Sequence, residues 1–488
     1  MTQFILVIDE GTTSTRAMLF RPDGSPAGSA SHGIAQHYPE PGRVEHDAAE
    51  IWEKTLDAAR QMVAAAGGAD SIAAIGITNQ RETVLGWNRH SGKPLGTALV
   101  WQDRRTADRC LELRDAGHEP LVQQSTGLLL DPYFSASKME WLLRNRPEFS
   151  DAGEALMLGT IDSWLLWKLT GGKIHATDAS NASRTMLMSL AGEGWDPGLC
   201  ELFHVDPASL PQIVDCCGTL GETDPQLFGR AIPICGMAGD QQAATIGQGC
   251  LTAGFTKATF GTGAFVLANS GASPLHSANR LLTTVLCQIG GERSYALEGS
   301  IFVAGSLMQW LRDSVGLLVS APESELLARS VADSGGVYMV PALSGLGAPH
   351  WRPEARGLIC GISFATTRAH LVRAALEAQA HQVHGLMAAF EADGVKCERL
   401  RIDGGMVANN WLAQDLADIL DLDVERPAMV ETTALGAAML AAVGAGIYSS
   451  LDEAARAMGG EVTRFAPAME KAVRTARING WKDALGRT

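Results

Sequence analysis

The first twenty residues place a polar turn between two short apolar runs. Residues 4–8 form a continuous apolar run, typical of a central strand buried on both faces. A second apolar run follows at residues 17–20, and the polar segment between them, residues 9–16, reads Asp-Glu-Gly-Thr-Thr-Ser-Thr-Arg. Further along, residues 47–50 resemble a capping box, and apolar side chains follow at helical spacing over residues 51–63. Strands that alternate with helices in this way predict an α/β fold.

The second half of the chain begins again in a similar order. Residues 257–260 and 264–267 predict two strands that flank the turn of residues 261–263, Gly-Thr-Gly. A later predicted strand at residues 400–403 ends in two glycines, and a helical pattern follows over residues 410–420. Each half therefore has a strand, a glycine turn and a second strand near its start.

This order of elements indicates a loose internal duplication with its boundary at residues 247–249. We therefore predict an N-terminal domain of residues 1–249 and a C-terminal domain of residues 250–488. A cleft between two such domains is a common place for a ligand.

Charge and composition narrow the classes of function. Lys and Arg number 39 against 54 Asp and Glu, a formal net charge of −15, which argues against nucleic acid as the main partner. Two long uncharged stretches, residues 258–279 and 432–451, contain Gly, Ser and other polar residues, so we expect buried elements and no membrane insertion. Nine cysteines without a CxxC pair, and an N-terminus without a secretion signal, predict reduced thiols and a cytoplasmic location.

The first polar turn carries groups suited to binding phosphate. Glycine lets the backbone approach a phosphate closely, and successive N–H groups can form an anion-binding nest. Residues 12–14 add hydroxyl donors, and Arg16 adds a planar cation. Asp9 is a candidate Mg²⁺ ligand, because Mg²⁺ takes a few carboxylates and retains waters. Alone, the turn could equally be a polar hairpin without a ligand, but the second glycine turn at residues 261–263 favours two phosphate-binding turns that face each other.

Together with these turns, motifs along nearly the whole chain resemble those of the FGGY carbohydrate kinases. The matching stretches lie between Ile8 and about Gly446 and include residues 11–16, 79–83, 101–102, 133–138 (YFSASK), 159–162, 181–185 (NASRT), 239–244, 261–263, 344–349 (SGLGAP), 403–410 (DGGMVANN) and 431–438. One glycine turn would be weak evidence, whereas the ordered set is specific. The resemblance implies two actin-like domains of the ribonuclease H type that close around ATP and a polyol.

The resemblance also implies which residues bind the two substrates. The nucleotide set comprises Thr12, Thr13, Ser14, Arg16, Thr262, Gly263, Gly305, Gln309, Gly405 and Asn409. The polyol set comprises Arg81, Glu82, Tyr133, Asp240 and Gln241, with Trp101 and Phe265 as apolar walls. Asp240 is the candidate general base, and Asp9 and Asp240 are the candidate Mg²⁺ ligands.

The implied reaction is the phosphorylation of glycerol by ATP to give sn-glycerol 3-phosphate and ADP, in a homo-oligomer such as a dimer or tetramer. A site built to bind hydroxyl groups rejects analogues that lack them. One alternative is a kinase for another polyol or sugar, such as erythritol or a pentulose. A second is an actin-like nucleotide switch that phosphorylates no small molecule, although such proteins lack the polyol set.

Several of these residues also have an ordinary structural interpretation. Arg81 and Glu82 could form a surface pair, Asp240 could cap the helix after it, and Trp101 and Phe265 could belong to the core. Arg184, in the NASRT stretch, is expected to be a structural hydrogen-bonding residue near the cleft.

Two features depart from the family pattern. Glu10 stands where glutamine is common and places a second carboxylate beside Asp9. Glu377, His381 and His384 have helical spacing that could hold a metal, but we favour histidines that are exposed or hydrogen-bonded.

Overall fold

The computed structural model describes residues 3–192 and 194–488, which form a two-domain α/β protein with a large mixed sheet in each half. The strands of the first half are β1 (Phe4–Glu10), β2 (Ser14–Phe20), β3 (Pro26–Gly33), β4 (Glu45–His46), β5 (Ile72–Asn79), β6 (Val84–Asn88), β7 (Ala98–Leu99), β8 (Leu156–Thr160), β9 (Ala176–Asp178), β10 (Gln212–Val214), β11 (Cys217–Glu222) and β12 (Pro233–Gly239). Its helices are α1 (Ala48–Ala65), α2 (Ala107–Asp115), α3 (Glu119–Thr126), α4 (Ser135–Asn145), α5 (Pro147–Asp151), α6 (Ile161–Leu169), α7 (Ala179–Ala182), α8 (Pro197–Leu202), α9 (Pro225–Phe228) and α10 (Asp240–Gly247).

The second half repeats this mixture of strands and helices. Its strands are β13 (Phe255–Phe260), β14 (Ala264–Gly271), β15 (Leu282–Ile289), β16 (Glu292–Ile301), β17 (Tyr338–Val340), β18 (Leu358–Cys360), β19 (Arg399–Asp403), β20 (Val424–Pro427) and β21 (Val462–Phe465). Its helices are α11 (Gly305–Asp313), α12 (Glu323–Arg329), α13 (Arg368–Ala392), α14 (Asn410–Leu420), α15 (Thr432–Gly444), α16 (Leu451–Met458) and α17 (Lys471–Leu485). Short 3-10 turns lie at Ala69–Ser71, Gly153–Ala155, Pro207–Ser209 and Gly405–Ala408.

The first sheet has the order β11-β12-β5-β1-β2-β3. Strand β1 pairs antiparallel with β2 and parallel with β5, so the polar turn predicted to bind phosphate joins two central strands. Residues 5–8 of β1 are fully buried, which confirms the strand covered on both faces that the apolar run predicts.

The second sheet, β15-β16-β14-β13-β19-β20-β21, repeats this local arrangement. Strand β13 pairs antiparallel with β14 across the second glycine turn and parallel with β19. In both halves, a glycine turn therefore joins two antiparallel strands. In both, the first of these strands also pairs with a parallel strand on its other side. The internal duplication inferred from the order of elements is present in the fold.

Helix α15 lies in the second half of the chain but packs on the first sheet and on α10. A Cβ on Gly247 would lie 1.9 Å from the Thr432 carbonyl oxygen, and one on Gly436 would lie 1.8 Å from the Ala243 carbonyl oxygen. Glycine is therefore required where these two helix backbones touch. The uncharged stretch from residue 432 is the buried helix that its composition predicts, and no helix in the described residues is long and apolar enough to cross a membrane.

The cap of α1 differs in one respect from the predicted capping box. The Asp47 carboxylate accepts from the backbone N–H groups of Ala49 and Glu50, at 2.7 and 3.3 Å. The Glu50 side chain instead accepts from the Ala35 backbone N–H and pairs with Lys54. The hydrogen bonds from the backbone to Asp47 are therefore formed, but the reciprocal bond to the Glu50 side chain is not, because Glu50 pairs with a cation one turn along the helix.

Candidate active site

The first turn predicted to bind phosphate lies at the open end of β1 and β2. The Gly11 backbone N–H donates to the Ser14 carbonyl at 3.0 Å and closes the turn, and Thr13 at its tip is exposed. Arg16 pairs with Asp9 at 2.8 Å and with Glu431, the residue before α15, at 2.6 Å. Burial raises the pKa of Asp9, although the Arg16 guanidinium opposes that rise. A partly exposed cation is thus held beside the turn by one carboxylate from each half of the chain.

The second turn borders a cavity of about 420 Å³ in the second half. Five residues of the predicted nucleotide set line this cavity: Thr262, Gly305, Gln309, Gly405 and Asn409. They come from the β13–β14 turn, the start of α11 and the segment between β19 and α14. The structure thus brings together residues that are up to 147 positions apart in the sequence (409 minus 262).

The glycines around this cavity differ in whether the surrounding protein leaves room for a side chain. A Cβ on Gly305 would lie 2.5 Å from the Gly261 carbonyl oxygen, and one on Gly263 would lie 2.5 Å from that of Ile301. Gly404 has a φ of 94° and would place a Cβ 2.3 Å from the Phe260 carbonyl oxygen. A Cβ on Gly405 would meet no atom within 4 Å. Protein packing therefore demands glycine at positions 263, 305 and 404, whereas Gly405 borders open space in the cavity.

Arg81 is the centre of the predicted polyol set. It lies after the end of β5, in a loop where both Arg81 and Glu82 are buried, and Glu82 has a φ of 61°. The Arg81 guanidinium approaches the Asp240 carboxylate at 3.3 Å and donates to the Tyr133 hydroxyl at 3.4 Å. Its strongest contact is with Glu298 on β16, with bonds of 2.7 and 3.2 Å. Arg81, Tyr133 and Asp240 of the predicted polyol set are thus adjacent, and a carboxylate from the second sheet holds Arg81.

A second buried arginine completes this cluster. Arg184 donates to Glu82 at 2.7 Å and to Glu298 at 3.1 Å. Its guanidinium also lies over the Tyr133 ring, 5.6 Å from the centroid. We expected Arg184 to be a structural hydrogen-bonding residue near the cleft, and the structure places it within the predicted polyol set.

The two buried glutamates of the cluster differ in their electrostatics. Burial on its own would raise the pKa of Glu298, but the guanidinium groups of Arg184 and Arg81 outweigh it and lower the pKa to about 2. Burial raises the pKa of Glu82 despite the same two arginines. The contrast follows from the contacts, since Glu298 accepts three arginine hydrogen bonds and Glu82 accepts one. Glu298 is therefore the anion that holds both cations.

Asp240 is the first residue of α10 and the more accessible carboxylate of the site, with 34% of its side chain exposed. It accepts from the Gln241 backbone N–H at 2.7 Å, so it also satisfies a free donor at the start of the helix. Burial is the main cause of the raised pKa of Asp9, and the charge of Asp240 adds to the rise, which indicates that the two acids lie near each other. The capping and catalytic interpretations of Asp240 are thus compatible.

The two residues predicted as apolar walls belong to different halves of the chain. Trp101 packs edge-on against Tyr133 with ring centroids 5.6 Å apart. Its indole N–H donates to the Thr12 hydroxyl at 2.9 Å, a link to the first turn that the sequence did not indicate. Phe265 on β14 is half-buried and lies beside Thr259 of β13 in the second sheet.

Sequence reasoning missed two charged residues of the site, Glu298 and Lys257. Both are fully buried on strands of the second sheet. The available signal was a charged residue next to apolar residues within a predicted strand, because a buried charge requires a partner or a ligand.

Glu377 and His381 of α13 contact other side chains of the second half. Glu377 pairs with Arg373 at 2.9 Å and with Arg477 at 3.5 Å. His381 contradicts the expectation of an exposed or hydrogen-bonded histidine, because it is buried and neither ring nitrogen has a hydrogen-bond partner among the residues that the structure describes. Its ring stacks on Trp481 with centroids 5.2 Å apart, and burial lowers its pKa well below the ordinary value. Across residues 3–192 and 194–488, no three His, Cys, Asp or Glu side chains are grouped to hold a metal ion.

Comparisons with known proteins agree with this geometry. Residues 4–247 match the N-terminal domain of the FGGY family of carbohydrate kinases, and residues 256–445 match its C-terminal domain. The chain is 52% identical to a glycerol kinase of Rhodospirillum centenum, covering 99% of this chain and 98% of that one. It is 50% identical to glycerol kinase 1 of Pseudomonas aeruginosa, covering 100% and 99%.

Solved structures show the same fold. The crystal structure of Plasmodium falciparum glycerol kinase with ADP superposes with a TM-score of 0.94 at 35% identity, covering 100% of this chain and 98% of that one. Xylulose kinase from Rhodospirillum rubrum shares the fold with a TM-score of 0.88 at 24% identity, covering 99% and 98%. With both family domains matched in order across two actin-like halves, the chain belongs to the FGGY family of carbohydrate kinases.

Proposed function

We propose that this protein phosphorylates glycerol with ATP and releases sn-glycerol 3-phosphate and ADP. The observation that carries the proposal is the position of Asp240. Its partly exposed carboxylate lies 3.3 Å from Arg81 of the polyol set, and its charge reaches Asp9 beside the first phosphate-binding turn. The relatives that are 50–52% identical over nearly the whole chain are named glycerol kinases, which supports the same substrate here.

The polyol set offers the directional partners that a small triol needs. Arg81 and Gln241 can donate to hydroxyl oxygens, while Glu82 and Asp240 can accept from hydroxyl groups. We assign Tyr133 and Trp101, which pack together, to an apolar wall for the carbon chain, and Phe265 of β14 to a second wall from the other half of the chain. Any hydroxyl absent from a ligand would leave a buried polar group unpaired, which favours glycerol over less hydroxylated alcohols.

We assign Asp240 as the general base. Its carboxylate takes the proton of the terminal hydroxyl as that oxygen forms a bond to the γ-phosphorus of ATP. The bond between the γ-phosphorus and the bridging oxygen breaks, and ADP leaves with the electron pair. Arg81 holds the carboxylate in place through its contact at 3.3 Å.

We assign the phosphates of ATP to the two glycine turns. The hydroxyls of Thr12, Thr13 and Ser14 and the guanidinium of Arg16 would bind from the first domain. Thr262 and the Gly263 backbone would bind from the second domain, and the cavity lined by Gly305, Gln309, Gly405 and Asn409 would hold the adenosine. Charge stabilisation by such pre-placed donors is the main source of catalysis in phosphoryl transfer.

Asp9 and Asp240 fit a magnesium ion that accompanies ATP. The two carboxylates are close enough for the charge of Asp240 to contribute to the raised pKa of Asp9. Asp240 is also partly open to solvent, as a cation that retains waters requires. A bound magnesium ion would neutralise part of the phosphate charge.

We also propose domains at residues 1–249 and 250–488, a homo-oligomer such as a dimer or tetramer, and a cytoplasmic location. The matched family segments end at residue 247 and resume at residue 256, on either side of the proposed boundary. All nine cysteines are free thiols, and seven of them are buried, which suits a reducing compartment. Sedimentation velocity measures the oligomeric state directly.

An assay of ADP release with a panel of acceptors tests the reaction. We expect ATP turnover to depend on glycerol, with lower kcat/KM for erythritol, xylulose and ribulose and very slow hydrolysis without an acceptor. Equal turnover with and without every acceptor would refute the kinase proposal. Preference for erythritol or a pentulose would refute glycerol as the acceptor but leave the kinase reaction intact.

A further inference from the structure

Lys257, in the middle of β13, is a fully buried cation that the assignments above do not use. Its ammonium group donates to the side-chain oxygen of Gln241 and, at 3.0 Å, to the hydroxyl of Thr259. Both partners are neutral. Within the described part of the chain, no carboxylate oxygen lies within 4.0 Å of this nitrogen. A buried charge without a counter-charge is costly, so it indicates either a missing anion or strong compensation.

Lys138 shows what a structural buried lysine looks like in the same protein. It is also fully buried, but its ammonium group donates to three backbone carbonyl oxygens at 2.9, 2.7 and 2.8 Å. All three of its donors are therefore satisfied within the fold. Lys257 makes two protein hydrogen bonds and retains one donor for another group.

The location of Lys257 says which anion would use that donor. Lys257 and Thr259 are on one face of β13, which runs directly into the second phosphate-binding turn at residues 261–263. Gln241, its other partner, follows the proposed base Asp240. The ammonium group thus lies between the acceptor side and the phosphate side of the cleft.

The electrostatics agree with this location. Burial lowers the pKa of Lys257 to about 8, while the carboxylates of Asp403 and Asp240 oppose the shift from a distance. Most molecules therefore carry the charge at pH 7.

We propose that Lys257 is a further catalytic residue, whose ammonium group binds the oxygens of the phosphoryl group in transit between ATP and the acceptor. This proposal rests on the proposed kinase reaction. As the bond between the γ-phosphorus and ADP breaks and the bond to the acceptor oxygen forms, Lys257 donates to a non-bridging phosphoryl oxygen and keeps its proton. The acceptor proton goes to Asp240, and ADP keeps the electron pair, so no additional reactant is needed.

The first test compares Lys257→Met with Lys168→Met. Lys168 is a half-buried lysine that lies over the rings of Trp52 and Trp164, in the first half of the chain and outside the proposed site. We expect Lys257→Met to lower kcat by about 100-fold or more, the range seen when one transition-state donor is removed. Lys168→Met should retain the wild-type kcat. An unchanged kcat in Lys257→Met would overturn the proposal.

Thermal unfolding separates catalysis from structure. A structural lysine lowers the unfolding midpoint when it is lost, whereas removing a buried cation without a counter-charge leaves the midpoint equal or raises it. We expect the second result for Lys257→Met without ligands. Should the methionine variant not fold, Lys257→Gln retains a donor for Thr259 without the charge, and it should show the same loss of kcat. A glutamine variant with wild-type kcat would overturn the proposal.

A double-mutant cycle with Gln241→Leu excludes an effect through Gln241. If Lys257 contacts the phosphoryl group, Lys257→Met lowers kcat by a similar factor in the Gln241→Leu background. If the lysine acts only by positioning Gln241, it has no further effect there, and the catalytic role is overturned. A wild-type enzyme inactive with every acceptor would instead refute the kinase reaction, so the two failures are distinguishable.

Discussion

The change Glu298→Gln tests the buried ion cluster that joins the two halves of the site. Glutamine retains the size of the side chain and one oxygen acceptor but removes the charge. Glu298 is fully buried and accepts from Arg81 and Arg184, which both lie in the first half of the chain. The change therefore leaves two buried guanidinium groups with less anionic compensation.

The structure supplies the magnitude of this effect. The pKa of Glu298 falls from an ordinary value of 4.5 to about 2. A shift of this size corresponds to roughly 3 kcal/mol. Removing one partner of a buried pair typically costs about 3–5 kcal/mol, so both approaches agree. We expect Glu298→Gln to lower the free energy of unfolding by about 3–5 kcal/mol at pH 7.

The pH dependence has a definite sign. Because the folded protein depresses this pKa, the contribution of Glu298 is fully present above about pH 4.5 and is lost as the pH falls toward about 2. Urea titrations followed by far-UV circular dichroism at pH 7 and pH 4 measure both effects, and the stability difference between wild type and variant should narrow at the lower pH. The glycerol KM should rise as well, because Arg81 loses its strongest partner.

Glu112→Gln is the matched control, since Glu112 is 68% exposed and pairs with Arg109 on the surface. We expect that variant to unfold like the wild type, because exposed ion pairs contribute little. A loss below about 1 kcal/mol for Glu298→Gln would refute the idea that its charge holds the two arginines.

Three further changes test other parts of the site. Asp240→Asn should lower kcat by about 100-fold to 10,000-fold while calorimetry still detects ATP binding, and near-normal turnover would remove Asp240 as the base. Gly405→Leu should weaken ATP binding with little change in thermal stability, because position 405 borders the open cavity, whereas Gly404→Ala should destabilise the fold against the Phe260 carbonyl. Glu10→Gln should raise the thermal midpoint more at pH 8 than at pH 5, because burial raises the pKa of Glu10 to about 8 and the fold therefore loses stability as the pH rises from about 4.5 to 8. If the substitution raised the thermal midpoint equally at pH 5 and pH 8, Glu10 would already be ionised in the folded protein at pH 5.

The last of these changes bears on a departure from the family pattern that the sequence left unexplained. Glu10 is fully buried and accepts from the Thr55 hydroxyl at 3.1 Å, on the side of β1 opposite the cleft residue Asp9. A carboxyl group that is neutral in this position resembles the glutamine it replaces. We therefore expect a substitution of Glu10 to change the stability of the protein and to affect phosphate binding only indirectly.

Local patterns predicted much of the fold. The apolar run of β1, the two glycine turns and the helix Asn410–Leu420 were all foreseeable, because each depends on residues close together in the chain. The helix of α15 was foreseeable from its composition, but its packing on the first sheet was not, since composition does not specify a partner.

The candidate site divides in the same way. The ordered motifs by themselves determined the family, and they predicted the two phosphate-binding turns and the polyol set, because each motif is a short contiguous segment. Only the tertiary structure decided which charges compensate one another. Arg81 finds its strongest partner in Glu298, 217 positions away, and Lys257 of the second sheet reaches Gln241 of α10. The physical reason is that the state of a buried charge depends on its neighbours in space, and those neighbours are set by how distant segments of the chain pack together.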